Sequence, residues 1–569
     1  MATIFDSVKE RFVPSSRFNL SHEVKTTFNM AQLVPVLCQE VLPGDRWQLQ
    51  SEMMIQFQPM LAPIMQRVNA YVHYFFVPTR LLFSDYEKFF DPKQTASVSM
   101  PKLIIPMGFL NEPLAITDYT DGSASQKRRL HNILQFLDYM GLPVIYEVGN
   151  ADMNPELEVS LLPFYAYALI YNEYYRDQNL EADLLDTFQH GLESGTNIAI
   201  EDCITAPFPG VSDSFDEKNW LGLRIRAWEK DYFTSALPDP QVGQEVHLPL
   251  QGQAPVVFSG NGTLLETYDV PDLTNRVEWQ SNNDETGKHG YISISNDGEF
   301  NFNPVKVAAG QAYADMSNVT ATTINELRRA SRLQEFLERT ARAGRRYKEM
   351  IASHFGVFSK DGRLDRPEFL GGGVQSVKVS QVLSHTGQAD GQDFVLGQLG
   401  GHAESVGAVG RTRRRFTEHG YIFAIVSVMP RTAYMDGLPR MFSKLDMYDF
   451  YWPEFARIGE QEILNKEVSV WEQDDDTKDG TFGYAPRYSE YKFIPSSVHG
   501  ELRSSLDYWH LARKLDKNAA VLNEKFMHPD PQDLSRIFAV ETGSDQLICW
   551  IYNRCIAIRK MPKYGIPTL

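Results

Sequence analysis

The chain has 569 residues, 43% apolar and 22% charged, a composition that suits a folded globular protein and argues against wholesale disorder. With 73 acidic against 55 basic residues the formal charge is −18, which argues against a protein that coats nucleic acid by bulk charge and leaves room for local basic patches. Cys38, Cys203, Cys549 and Cys555 form no C-x-x-C pair, so a zinc ribbon or thioredoxin-type site has no support and the four read as reduced core thiols.

In chain order, the opening MATIFDSVKERF alternates charge with apolar residues and has no hydrophobic leader, the pattern expected of a soluble cytoplasmic product. RWQLQSEMMIQFQ has period two: Trp47, Leu49, Met53, Ile55 and Phe57 fall on one face of a strand, the glutamines and Glu52 on the other, with Ser51 and Met54 breaking the alternation. RVNAYVHYFFV (67–77) is apolar on both faces and predicts a strand buried on both sides. QKRRLHNILQFLDYM predicts a helix ended by Gly141 and Pro143, and LPFYAYALIYNEYYRDQ another, with Pro163 in its first turn.

From about Gln241 to Asn318 the chain is rich in Gly, Asn, Ser and Thr and has no helical period, which predicts a β-rich insertion. Within it YISISNDGEFNF reads as a hairpin turning at Asn296-Asp297-Gly298, with Ile292 and Ile294 before the turn and Phe300 and Phe302 after it. TINELRRASRLQEFLERTAR then predicts a helix with Thr323 and Glu326 in capping-box spacing. Its Ile324, Leu327, Ala330, Leu333, Leu337 and Ala341 form a stripe expected to be buried, and Glu335 pairs with Arg339 on the solvated side. Strands return at YIFAIVSVMP and QLICWIYNRCIAIR; if Cys549 and Cys555 share the latter, they stand roughly 20 Å apart and cannot be bridged. The longest apolar runs are too short to span a bilayer.

Signals for catalysis fail one by one. No H-E-x-x-H, H-x-H or G-x-S-x-G occurs. Gly371-Gly372-Gly373 lack the Lys-Ser/Thr of a phosphate loop and precede a strand-like run instead of a helix. The acidic EQDDDTKDG places Pro486 where a calcium loop needs a bidentate Glu. No enzyme, cofactor or metal site is expected. The basic cluster Arg411, Arg413, Arg414 and Arg415 has no aromatic interleaved for base stacking, so an inter-subunit salt-bridge surface competes with phosphate contact there. Arg554, Arg559, Lys560 and Lys563 form a second such candidate. The high aromatic content, 12%, suits a protein that buries surface against copies of itself.

Six stretches in order, SRFNLSHEVKTTFNMAQLVPVLCQEVLPGD, NAYVHYFFVPTRLL, YNEYYRDQNL, DYFTSALPDPQ, ATTINELRRASRLQEFLERTARAGRRYKEMIASHFGV and RLDRPEFLGGG, resemble the major capsid proteins of the Microviridae, the gokushovirus branch in particular. The resemblance implies a mainly β fold: a viral β-jelly-roll, an eight-stranded sandwich with long inter-strand loop insertions that contain helices. It implies a T=1 icosahedral shell of copies of the chain in the virion, assembled in the host cytoplasm around a single-stranded DNA genome. A small basic internal protein would help neutralise that genome, as the acidic chain requires. Residues 241–318 would protrude at the threefold axes toward a host-surface receptor, and no membrane insertion is implied. Among these landmarks the triple glycine becomes a tight loop needing positive φ or close backbone approach. Arg363, Asp365, Arg366 and Glu368 become candidates for charge pairing within or between subunits. The competing readings are a carbohydrate-binding or carbohydrate-active β-sandwich and an extended phage adhesin; neither predicts an isometric shell.

Overall fold

The computed structural model describes residues 15–91, 97–106, 124–143, 156–185, 191–200, 203, 220–243, 324–344, 346–358, 360–383, 399–471, 479–515, 521–529, 531–540 and 544–564, with short strand segments between 256 and 314. Two compact units result, one of residues 1–240 with 340–569 and one of Gln241–Arg339.

The first unit is built on ten strands: β1 Ser16–Asn19, β2 His22–Phe28, β3 Val34–Val41, β4 Arg46–Phe57, β5 Val68–Pro78, β6 Glu368–Ser376, β7 Lys378–Leu383, β8 Leu399–Arg415, β9 Gly420–Pro430 and β10 Leu547–Arg559. They form two antiparallel sheets. In the first, β10, β4, β8 and β7 follow one another and β1 and β2 both pair with the free side of β10; in the second the order is β6-β5-β9-β3. The chain crosses between the sheets at six of the nine connections, and of the strands adjacent in sequence only β5–β6 and β7–β8 pair. This is a mainly β sandwich with helices in its inter-strand connections, as the sequence implies.

The two sheets pack face to face. The inward residues of β4 (Trp47, Leu49, Met53, Ile55, Phe57) share one core with Ala70, Val72, Tyr74 and Phe76 of β5 and Ile422, Ala424 and Val426 of β9. Ser51 breaks the alternation for a reason: it faces inward, donates to Asn553 Oδ1 at 2.8 Å and accepts from the Tyr74 hydroxyl at 2.8 Å, so the buried hydroxyl is satisfied. The opposite face of the second sheet is also buried. Phe75, Val77, Phe423 and Ile425 pack under the helices Ala124–Tyr139 and Leu162–Ile170 with Phe83, Leu103 and Trp220. That second core is why β5 and β9 are apolar on both faces while β4 alternates. Cys549 and Cys555 both point inward on β10, and burial pushes each thiol up to about 12.

Two local readings change, and a third falls largely on residues outside those described. The triple glycine is not a loop: Gly371–Gly373 lie inside β6, where a bulge between Phe369 and Gly371 interrupts the pairing with β5 and Gly371 takes φ +135°. The close approach is real, since a Cβ on Gly373 would meet Val409 Cγ1 at 2.6 Å and Gly410 N at 2.8 Å on the other sheet. The helix Ile324–Ala343 forms, with its Glu335–Arg339 pair at 3.1 Å, but its apolar stripe is only partly buried: Ala341 is buried, whereas Leu327 and Leu333 are half exposed. In the second unit the strand carrying Ile292 and Ile294, Gly287–Ile294, pairs with the preceding Val277–Asp284. Asn296-Asp297-Gly298, Phe300, Phe302 and Thr323 lie outside the described residues.

Candidate nucleic-acid interface

Among the described residues no helix or second sheet covers the outer face of the first sheet, and its composition follows from strand parity. On β4 the even residues Arg46, Gln48, Gln50 and Glu52 point out; on β10 Trp550, Tyr552, Arg554, Ile556 and Ile558 do. On β8 the outward residues are first Glu404, Val406 and Ala408. Gly410 is then an extra residue, with Val409 opposite Ser51 and Arg411 opposite Gln50. This one-residue bulge reverses the parity, so that Arg411, Arg413 and Arg415 face out where Thr412 would otherwise have done so. Gly410 sits at φ +64°, and a Cβ there would lie 2.7 Å from the Tyr74 ring, so glycine is required on two counts.

The register aligns these arginines across strands. Arg411 lies in line with Gln50 and Arg554, Arg413 with Gln48 and Ile556, and Arg415 with Arg46, Ile558 and Arg17 of β1. Successive rows are about 7 Å apart along the strands and neighbouring strands about 4.8 Å apart. Six arginines thus share one face, and among the described residues none of the six has an ion-pair partner. Arg46 directly opposite Arg415 is a like-charge pair, which costs free energy unless an anion intervenes. The aromatic groups missing between the arginines in sequence come from the neighbouring strand: Tyr552 is two residues from Arg554 on the same face, and Trp550 lies beyond it, its Nε1–H donating to Glu23 at 3.1 Å.

The other candidates go elsewhere. Arg414 has inward parity at the exposed end of β8, opposite Trp47. Arg559 also has inward parity, and its Nε–H donates to the buried Asp45 carboxylate at 2.9 Å while Nη2 donates to Glu40 O at 2.8 Å. Its guanidinium lies 5.2 Å from the Trp47 ring centre, a closed internal arrangement. Lys560 is exposed, its stem 3.4 Å from where a Gly44 Cβ would stand, and the Lys563 ammonium lies 5.7 Å from the Tyr564 ring centre. Arg17 and Arg46 were not singled out in the sequence because each is an isolated basic residue there; only the register between distant strands joins them to the cluster.

The Arg363–Glu368 group splits in the same way. Arg366 is buried, donates to Glu173 O at 3.0 Å, and pairs with the Glu173 carboxylate at 3.3 Å and Asp361 at 3.7 Å while covering the Tyr174 ring at 5.0 Å. These are contacts within one chain, and they fasten the turn before β6 to the residues following the helix Leu162–Ile170. Asp365, at φ +49°, pairs with Arg80 at 2.5 Å, and Arg80 also holds Glu418 at 2.8 Å. Glu368 opens β6 opposite Phe76, with Oε1 2.7 Å from where a Gly362 Cβ would stand. Arg363 is exposed and has no ion-pair partner among the described residues. No cluster of three or more metal-ligating side chains occurs among the described residues, and none of their helices is long and apolar enough to cross a membrane.

A family model described as Capsid protein (F protein) matches residues 7–569. Capsid protein VP1 of Bdellovibrio phage phiMH2K is 32% identical over 568 residues, covering 97% of this chain and 95% of that protein. Capsid protein VP1 of Chlamydia phage 1 is 31% identical over 631 residues (100% and 98%), and that of Spiroplasma virus 4 is 29% identical over 593 residues (99% and 97%).

Proposed function

This chain belongs to the capsid protein (F protein) family of phages, and from that premise we propose that its shell is a T=1 icosahedron enclosing a single-stranded DNA genome, with the outer face of the first sheet turned toward that DNA. The protein is a structural capsid subunit of the Microviridae type, not an enzyme; it assembles with copies of itself and resides in the virion.

The observation that carries the DNA reading is the array Arg17, Arg46, Arg411, Arg413, Arg415 and Arg554, unpaired on one face of a chain whose formal charge is −18. Arginine guanidinium groups donate to phosphate oxygens in a planar fork, and a polyanion laid along the like-charge row across β1, β10, β4 and β8 would relieve it while releasing the small counterions that otherwise screen it. Trp550 and Tyr552 offer stacking surfaces for unpaired bases, a combination that favours a single strand over a duplex. The rest of the acidic chain leaves most phosphates unneutralised, which calls for the small basic internal protein.

The strand order β2-β10-β4-β8 facing β3-β9-β5-β6 supports reading the sandwich as an eight-stranded jelly roll. The separate unit Gln241–Arg339 supports reading the segment from 241 to 318 as a protrusion at the threefold axes that meets a host receptor, with assembly in the host cytoplasm. Electron microscopy of particles formed by the full chain tests this directly. The expected image is a small isometric shell with the arginine face against genome density and the 241–318 segment projecting outward. An arginine face on the outside, or sealed between subunits, would sink the DNA reading.

A further inference from the structure

Between β9 and β10 the chain makes a series of short turns, Arg440–Ser443, Met447–Asp449, Pro453–Phe455 and Ser489–Tyr491, whose side chains are arranged inside out. Two of the cations, Arg440 and Lys444, are turned in with their carboxylate partners, while Asp446, Asp449 and Lys492 stay exposed. Lys444, with a side chain only 6% exposed, donates to Glu490 at 3.0 Å, and Glu490, 13% exposed, also accepts from Gln461 Nε2 at 2.7 Å. Arg440 donates to Glu467 at 2.9 Å and to Glu462 O at 2.6 Å, and the Tyr232 hydroxyl donates to the same Glu467.

The apolar groups are turned out. Leu445 is 94% and Ile494 88% exposed, with Phe442, Phe450, Tyr451 and Trp452 near or above half. The two stretches form one surface: Tyr451 stacks edge-on to Tyr488 at 4.9 Å, Trp452 N–H donates to the Tyr488 hydroxyl at 3.2 Å, and the Lys444 ammonium lies 3.9 Å from the Tyr491 ring centre. A solvent-facing segment ordinarily has the opposite arrangement.

From this we infer that the 441–452 and 491–494 surface is a contact face for a second copy of this chain. Eleven large apolar side chains there are at least 40% exposed. At roughly 200 Å² per aromatic ring, they offer on the order of 1,000 Å². That exceeds the largest apolar patch of an ordinary monomer, about 300–600 Å², and reaches the roughly 800 Å² per partner of a stable interface. The composition, rich in aromatics and methionine with Lys444 turned inward and Asp446, Asp449 and Lys492 left as exposed charges among them, is that of an interface with an apolar core and a few polar positions. The buried ion pairs hold the turns in place before contact, which lowers the ordering cost of association. The inference rests on the capsid reading for the identity of the occupant, and it adds where on the subunit that occupant sits.

The test compares the full chain with the double variant Leu445→Glu, Ile494→Glu, expressed under particle-forming conditions and separated on a density gradient. Because both side chains are exposed, thermal unfolding of the dissociated subunit is expected to be unchanged, while the yield of sedimenting particles falls at least about tenfold. Particles at normal yield overturn the inference, including the case in which the variant instead loses attachment to host cells, carbohydrate or lipid vesicles. Radical footprinting of the wild type is independent of any folding defect: Tyr451 and Trp452 are expected to be protected in particles relative to dissociated subunits, and equal labelling overturns the contact. A wild-type chain that forms no particles at all would remove the capsid reading itself, a result distinct from loss in the variant alone.

Discussion

The two outer faces of the sandwich share a scaffold and have opposite fates. Beneath the helices, the second sheet meets apolar side chains on both sides, and the arginine beside it, Arg366, finds Glu173, Asp361 and the Tyr174 ring inside its own chain. Among the described residues the outer face of the first sheet has no cover, and its six outward arginines find no carboxylate. An arginine completed within its subunit is part of the fold, whereas a row left incomplete is open to an anion from outside it, which is what the proposed DNA contact requires. The sequence shows both simply as basic residues.

The comparison breaks or sharpens at three points. The largest effect is expected at Arg366→Ala, which empties a buried guanidinium site, frees Glu173 O and uncovers the Tyr174 ring while leaving Glu173 to Arg346 and Asp361 to Lys348; loss of such a buried partner costs about 3 kcal/mol. Denaturant unfolding of the dissociated subunit measures it. Particle loss without loss of subunit stability would mean that Arg366 acts between subunits after all.

Next comes His73 of β5, which belongs to the covered side and packs on Tyr175 with its Nδ1 2.7 Å from that hydroxyl. Burial, assisted by the nearby Arg226 guanidinium, holds its pKa down at about 4. The unfolded imidazole titrates near the usual 6.5, so stability is full above pH 6.5 and is lost as pH falls toward 4, by as much as about 3 kcal/mol. His73→Gln is expected to flatten that acid limb in thermal melts between pH 7 and 4.5; an unchanged limb would place the acid sensitivity elsewhere.

The smallest effect on stability is expected on the bare side. Arg411→Gln, Arg413→Gln and Arg554→Gln together should shift subunit unfolding by no more than about 0.5 kcal/mol. Yet the log–log salt slope for binding a single-stranded oligonucleotide should fall by about 2, from roughly 0.7 per lost phosphate contact. A stability loss comparable to that of Arg366→Ala would erase the distinction between the two faces.

The parts of this structure legible in the sequence are those with local periodicity. The alternation of β4 and the two-sided apolarity of β5 announced one sheet face open and one sheet covered on both sides. The candidate interface was legible in composition but not in arrangement. Arg414 and Arg415 are neighbours in the chain, yet a single strand step puts one on each side of the sheet. The outward set on β8 depends on the bulge at Gly410, and Arg17 and Arg46 join through pairings that span nearly the whole chain. The partly buried stripe of Ile324–Ala343 shows the converse limit: helical periodicity identifies a face that needs cover, and the cover need not come from the same molecule.

Gly373 and Gly410 bring the backbones of the two sheets together at one corner, where no side chain can act as a spacer. A sandwich pinned there resists shearing and splaying, because backbone atoms at contact distance have nothing compressible between them. The subunit then enters its shell as a stiff tile. An adjustment to a curved neighbour then falls first on the long connections between the strands, which no such backbone contact pins.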